Sequence, residues 1–580
     1  MKKNIYILGV LSLFLLVACE KLDREIITTL DKNEVNKVFS YTANRATAMY
    51  TALPSGFLEI DGAMMASASD EAEHTLETSA VQQFNIGSWN AVSNPDNVWA
   101  KYFTAIRNVN LFLATSDSVN LDAYRLDPTT SQQLIYKNRL AEIKRWKYEG
   151  RFLRAFYYFE LVKRYGGIPI IIAPLTLGDN YSGTTRNNLE ECVNFIKAEC
   201  DSAASVLPVK YADTDLGRAT KGAALALKAK VLLYAASDLW NDPSWTSGYS
   251  YPELISLPAG DRIARWTAAA LAAKAVIDLP GTTYGLYTNY RNLFITAQGF
   301  QSMEHILVAR AGASNSFETA NYSVGFDNGR SGTTPSQNIV DAYEVKVNAT
   351  TAIPFDWNNP KHAASPYATT GDTARDPRML LNIIVNNSSY KGRNVELWTG
   401  GKDAKGVALA SKTGYYLKKY VDESINLLTG TTSVHSWDLI RLADVYLWYV
   451  EALNEYNPGH PDIKFYIDRI RTRAGVIMPA VPVGLIQAQM RNVIRHERQV
   501  ELAFESHRIW DLRRWMLAPS VLATPLKGIE IHRQTGIPKV PFTYAVINVE
   551  NRVFETKMYF YPIPQQELLK MPSWEQNPLW

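Results

Sequence analysis

The stretch Ala141-Glu142-Ile143-Lys144-Arg145-Trp146, running through Phe152-Leu153-Arg154-Ala155-Phe156-Tyr157-Tyr158-Phe159 to Leu161-Val162 and closed by Gly166-Gly167, carries the strongest helical signal in the chain. Phe152, Phe156 and Phe159 recur at i, i+4 and i+7 and so share one face, and the glycine pair supplies the stop. Comparable periodicity predicts helices over 97–115, 188–206, 218–238, 265–279, 437–456, 462–474 and 486–516. In 437–456 the residues Leu439, Leu442, Tyr446, Tyr449 and Leu453 form a single apolar stripe. Ala219, Ala223, Ala226 and Ala229 make a small-residue face that lets a neighbouring helix come close. The segments arrive as pairs with bulky aromatics and small residues between them, which predicts four degenerate tetratricopeptide-like hairpins in a mainly α fold. The 34-residue period of a regular array of that type is not kept.

Between about 280 and 435 the texture changes to Gly, Asn, Ser and Thr with short apolar runs such as Ile383-Ile384-Val385. This predicts loops, short strands and small helices inserted between the members of the third helix pair. Ordered insertions of this length are more often functional than accidental, so the hairpins are expected to support an irregular, loop-rich ligand-binding half. The tail from Met558 to Trp580 reads as a short strand, a helix start and a docked end.

The N-terminus predicts where the protein works. Lys2 and Lys3 precede an apolar run from Ile5 to Val17, and Leu16-Val17-Ala18-Cys19 ends it. That run is about 13 residues, too short to span a bilayer, and its charged start and small-residue end mark a secretory signal. The expected organisation is a lipoprotein signal peptide over 1–18, lipidation at Cys19, a tether over 19–31 and a single domain over 32–580. Sixty basic residues against 57 acidic ones give a formal charge of +3, which offers no general attraction for nucleic acid. Cys192 and Cys200 are eight apart in a predicted helix, about 12 Å along its axis, too far for a disulfide. Fourteen Trp and 32 Tyr are the unusual numbers in the composition, and they supply material for stacking on sugar rings.

Taken in order, several segments make the chain resemble the SusD/RagB family of outer-membrane nutrient-binding lipoproteins of the Bacteroidetes type. They are the Cys19 box, Arg151–Tyr158 leading to Tyr165-Gly166-Gly167-Ile168-Pro169, Ala219–Leu227, Ile440–Tyr446, Ile467–Gly475, Glu497–Glu505 with Arg508, and Trp510–Trp515. The ending Asn577-Pro578-Leu579-Trp580 departs from the usual Asn-Pro-Gly-Trp. The resemblance implies a lipid-anchored glycan-binding protein on the outer membrane, facing the exterior, that delivers oligo- or polysaccharide to a SusC-like TonB-dependent transporter. It implies no catalysis, cofactor or metal. The alternatives kept open are a peptide- or other nutrient-capturing lid of such a transporter, and a surface glycoside hydrolase.

Candidate ligand contacts follow from what a sugar needs: a flat exposed aromatic for its CH face and Asp, Asn, Glu or Arg for its hydroxyls. Trp89 is the first choice for stacking, with Asp70 and Glu71 as hydroxyl partners in a region where the resemblance places ligand contacts. Arg375, Arg378, Tyr390 and Trp398 are secondary candidates in the insertion. Glu497, Glu501 and Glu505 line one helix face, but the neighbouring Arg498, Arg508, Arg513 and Arg514 assign them to ion pairs rather than to a glycosidase pair. His496-Glu497 begins a zinc-protease-like box that Val500 breaks, so no metal is expected there.

Overall fold

The structure, a computed structural model, describes residues 32–580 except 177, 213–214, 283, 296–301 and 537–540. The signal peptide, Cys19 and the tether lie outside the described residues. A short helix α1 (Phe39–Ala48) leads into the main helices α2 (Trp99–Thr115), α3 (Thr130–Tyr165), α4 (Leu189–Val206), α5 (Lys221–Ala236) and α6 (Arg262–Ile277). After the insertion come α7 (Leu442–Tyr456), α8 (Pro461–Arg471), α9 (Gln487–Glu501) and α10 (Arg508–Arg514). From α2 to α7 each of these helices packs on the next, and α8 and α9 both pack on α7. The protein is therefore mainly helical, as the periodicity predicts. Contact between α6 and α7 closes the array across an insertion of some 160 residues.

Helix α3 shows how the sequence builds this array. It begins at Thr130, a full three turns before the apolar pattern starts, because its first half is a solvated stretch of good helix formers. From Phe152 to Val162 every residue is buried, not only the Phe152, Phe156 and Phe159 face. Each such ring contributes about 1.5–3 kcal/mol on leaving water. Arg154 survives inside because Glu199 of α4 accepts from its Nε and Nη2 at 2.9 and 2.7 Å, and Asn110 of α2 accepts from Nη1 at 2.7 Å. One guanidinium thus bolts three successive helices together. Gly166 ends α3 at φ +71°, and a Cβ there would lie 2.3 Å from the carbonyl oxygen of Leu254, so only glycine fits.

Two predicted helices are cut shorter. The segment 437–456 opens as strand β4 (Ser436–Arg441), paired antiparallel with β2 (His305–Arg310), and the helix starts only at Leu442. Leu439 therefore belongs to a sheet, not to the apolar stripe. The segment 486–516 breaks after Glu501, where Phe504 and Ser506 take φ of +63° and +62°. Buried acids on the turn that follows draw the backbone out of helix, as described below.

The insertion supplies only short strands, among them β3 (Thr333–Pro335), which pairs back to β1 (Ala72–His74) ahead of the main helices. The longest sheet is a hairpin the periodicity did not predict, β5 (Leu526–Arg533) with β6 (Phe542–Glu550). In the tail a 3-10 turn at Thr556–Tyr559 stands where a strand is expected, and the expected helix follows at Gln565–Lys570. Its end docks through Trp580, whose indole N–H donates to the carbonyls of Lys557 and Phe560, both at 3.0 Å. Among the described residues no helix is long and apolar enough to cross a membrane.

Candidate functional site

Most of the residues expected to touch ligand hold the fold instead. Trp89 is 2% exposed, enclosed by Phe84, Tyr561 and Trp580 at ring-centroid distances of 5.2, 5.0 and 4.7 Å. No face of it is open to a sugar. Asp70 is gripped by Arg508, and Glu71, 1% exposed, accepts from the backbone N–H of Phe504 at 3.2 Å. Burial, with the Asp70 carboxylate beside it, pushes the Glu71 carboxyl up to about 8, so it is a sealed neutral acid at neutral pH.

Arg375 and Arg378 are likewise structural. Arg375 donates to the carbonyls of Pro366 and Tyr343 at 2.7 and 2.8 Å and lies 4.1 Å over the Phe355 ring. Burial lowers its pKa to about 10. Arg378 bridges Asp376, Glu497 and Glu501 at 2.7, 2.5 and 2.9 Å with no exposed surface. Tyr390 is buried against Phe326 and Tyr322. In each case a polar or aromatic side chain that looked available is consumed by a partner distant in sequence, which spacing alone does not reveal.

Glu497, Glu501 and Glu505 sit at the centre of this inner network. Arg441 donates to Glu304, Glu501 and Glu505 at 2.7, 2.8 and 2.7 Å, Arg471 to Glu497 at 3.0 Å, and Lys419 to Glu505 at 2.6 Å. Burial raises the Glu501 pKa, but Arg473, Arg441 and Arg378 outweigh it and hold the carboxyl well below the usual range. A general acid needs the opposite shift and an open cleft. Glu501 and Glu505 also explain the break after α9: Arg441 Nη2 reaches the Glu501 carbonyl at 2.9 Å as well as the Glu505 carboxylate, pinning the turn in place. Among the described residues no group of three or more His, Cys, Asp or Glu is placed to hold a metal ion.

Trp398 is the exception among the candidates, being partly exposed. The backbone N–H of Thr399 donates to Ile531 of β5 at 2.8 Å, which ties the Trp398 loop to the hairpin. Trp398 then stacks on Phe542 at 5.4 Å and 29°, with the Arg533 guanidinium 5.3 Å from its ring. Register explains the company it keeps: Arg533 pairs with Phe542 and Ile531 with Tyr544 across the hairpin, so alternate residues of β6 face one way. Tyr544 continues the row toward Tyr367 at 5.6 Å and Trp357 at 6.4 Å. Trp357, Tyr367, Trp398, Phe542 and Tyr544 are all partly exposed. His532, Arg533 and Thr399 lie exposed around the row. The result is an open aromatic ridge with hydrogen-bonding side chains at its edge, on the loop-rich half.

Phe542, Tyr544 and Arg533 are ridge residues that sequence reasoning missed. The alternation Phe542-Thr543-Tyr544-Ala545-Val546 was the available signal, since a period of two marks a half-buried strand. A separate groove of about 640 Å³ is lined by Trp99, Phe103 and Arg107 of α2, by Pro169, Thr176 and Tyr181, and by Glu567 and Trp574.

Comparison with known proteins places this architecture. The profile of the family described as "SusD family" matches residues 304–580, and one described as "Starch-binding associating with outer membrane" matches residues 30–233. SusD-like protein P2 of Formosa agariphila is 24% identical over 496 residues, which cover 84% of this chain and 81% of that protein. A SusD-like protein from Bacteroides fragilis superposes with a TM-score of 0.75 at 24% identity, over 95% of this chain and 99% of that one. A SusD-like carbohydrate-binding protein from the same species gives 0.73 at 24% identity, over 93% and 99%. These likenesses establish the fold. Matched in order by these two SusD-type profiles over residues 30–233 and 304–580, the chain belongs to the SusD/RagB family.

Proposed function

We propose that the protein is a non-catalytic glycan-capture subunit, lipid-anchored at Cys19 to the outer membrane and facing the exterior, that passes oligo- or polysaccharide to a SusC-like TonB-dependent transporter. The observation that carries this reading is the partly exposed ridge of Trp398, Phe542, Tyr544 and Trp357 on the loop-rich half. An open ridge suits a polymer: a long chain lies along it without having to be threaded into a closed cavity, and stacking on successive rings tolerates varied linkages. The family's description as starch-binding and the carbohydrate-binding description of one structural relative support the same ligand class. The carboxylates considered for catalysis, Glu497, Glu501 and Glu505, support capture without cleavage, because they are buried and each is paired with arginine. In this proposal residues 32–580 form a single domain, with its insertion at about 280–435, and the ridge belongs to the same domain as the helical array.

Calorimetry of the purified protein against a polysaccharide panel, with reducing-end release followed in the same samples, tests this. Saturable binding to at least one glycan with no release is expected; sustained release would establish the hydrolase instead. The mostly apolar groove at Trp99, Phe103 and Trp574 favours a second reading, capture of a peptide, which would show as binding of peptides and no glycan in that screen.

A further inference from the structure

The helical half holds a cavity of about 200 Å³ between α6, α7, α9 and the residues that follow α5 and α10, room for roughly seven waters at ~30 Å³ each. Its wall mixes acids and arginines, and their pairing is uneven. Arg491 grips Glu455 through Nε and Nη2, both at 2.6 Å, and Arg262 holds Asp238 at 2.9 Å. Glu451 accepts from Arg514 Nη2 and from the indole N–H of Trp515, both at 2.7 Å. Every carboxylate on the wall is therefore already bonded. Arg495 is left over: its guanidinium lies 4.9 Å from the Trp515 ring centroid and makes no hydrogen bond or ion pair among the described residues. The Nε of Arg262, another wall residue, is buried without a hydrogen-bond partner.

A guanidinium over an indole ring spends none of its N–H groups on that contact, and its fork matches the two oxygens of a carboxylate or sulfate. Arg495 is thus a half-buried cation whose donors, taken by no protein group, are available to an anion entering the cavity. Burial depresses the Arg495 guanidinium, as Arg514 nearby also does, while Glu451 supports its charge from a carboxylate already committed elsewhere; a bound anion would restore the balance.

We propose that this cavity binds a small oxyanion, a carboxylate or sulfate group such as an acidic or sulfated sugar carries, with Arg495 as its principal donor and the Trp515 ring as the surface over which Arg495 is seated. The site lies on the helical array, is built from α6, α7, α9 and the residues just after α5 and α10, and owes nothing to the aromatic ridge.

The test is thermal unfolding and calorimetry of the purified protein with sodium sulfate, sodium glucuronate and glucose, each against sodium chloride at matched ionic strength. Sulfate, glucuronate or both are expected to bind saturably and raise Tm, while glucose does nothing here. Response to glucuronate alone would assign a planar carboxylate, and to sulfate alone a tetrahedral anion. Arg495→Gln is expected to weaken binding by at least about tenfold, with Arg495→Lys intermediate because a point charge replaces the fork. Wild-type protein that responds to neither anion beyond chloride overturns the proposal, whatever the variants do. An unchanged response in a folded Arg495→Gln protein overturns it equally.

Discussion

Arg508 Nε and Nη2 grip the two carboxylate oxygens of Asp70 at 2.9 and 2.8 Å, joining residues 438 apart in sequence. The side chains are 12% and 8% exposed, so this is a nearly buried bidentate pair that ties the loop before β1 to the start of α10. Removing one partner of such a pair leaves a charge stranded, at a cost of about 3–5 kcal/mol. Asp70→Ala is therefore expected to lower unfolding free energy by roughly 3 kcal/mol in denaturant titration, with glycan affinity of the folded protein unchanged. A loss of affinity without a loss of stability would return Asp70 to the ligand site.

The two tryptophans weighed for stacking should separate cleanly. Trp398→Ala takes a partly exposed ring from the ridge and is expected to weaken glycan binding about tenfold, the loss of ~1.4 kcal/mol of contact, with little change in Tm. Trp89→Ala empties a site enclosed by Phe84, Tyr561 and Trp580 and is expected to cost about 3–5 kcal/mol of stability. The fraction that folds should bind glycan normally. Calorimetry beside chemical denaturation on both variants reads the contrast.

How far the sequence carries depends on whether the partner is local. Helices packed along one face declare themselves through i, i+4 spacing, and so the main helices were legible from Phe152, Phe156 and Phe159 and their counterparts. The boundaries at Leu442 and Glu501 were not, because strand pairing with His305–Arg310 and the grip of Arg441 on Glu501 and Glu505 come from residues far along the chain. The candidate site failed for the same reason. Trp89, Arg375 and Arg378 have the chemistry of ligand contacts, and only the fold shows that Trp580, the Tyr343 carbonyl and Glu497 already occupy them. Trp398 stands apart because its loop is fixed to a hairpin edge, where a large ring packs on one neighbour and stays partly in water.

Two buried glutamates should give opposite pH signatures, and Glu71 sets the first. Its carboxyl is pushed up to about 8, by burial and then by Asp70, against 4.5 in the unfolded chain. Between those values the folded state holds a proton that the unfolded state has lost, so stability falls as pH rises through this window and levels off above it. Glu71→Gln cannot ionise. The variant is expected to show a flatter stability profile than wild type between pH 5 and 8, measured by urea midpoints at closely spaced pH. Parallel profiles would mean that Glu71 is ionised in the fold.

Glu501 sets the second, with the sign reversed. It accepts from Arg378 and Arg441 at 2.9 and 2.8 Å and from Arg473 as well. Burial alone would raise its pKa, yet the three arginines hold it below the unfolded value. Its contribution is complete above the unfolded pKa and is lost as pH falls through that value toward the lower folded one. Glu501→Gln keeps the shape but leaves three buried guanidinium groups short of a counter-charge, and is expected to cost about 3–5 kcal/mol at neutral pH. Because the variant has already lost what acid removes, the gap between it and wild type should narrow below pH 4. A gap that stays constant into acid would show that the three arginines are balanced by Glu304, Glu497 and Glu505 without Glu501, and that the centre of the network lies elsewhere.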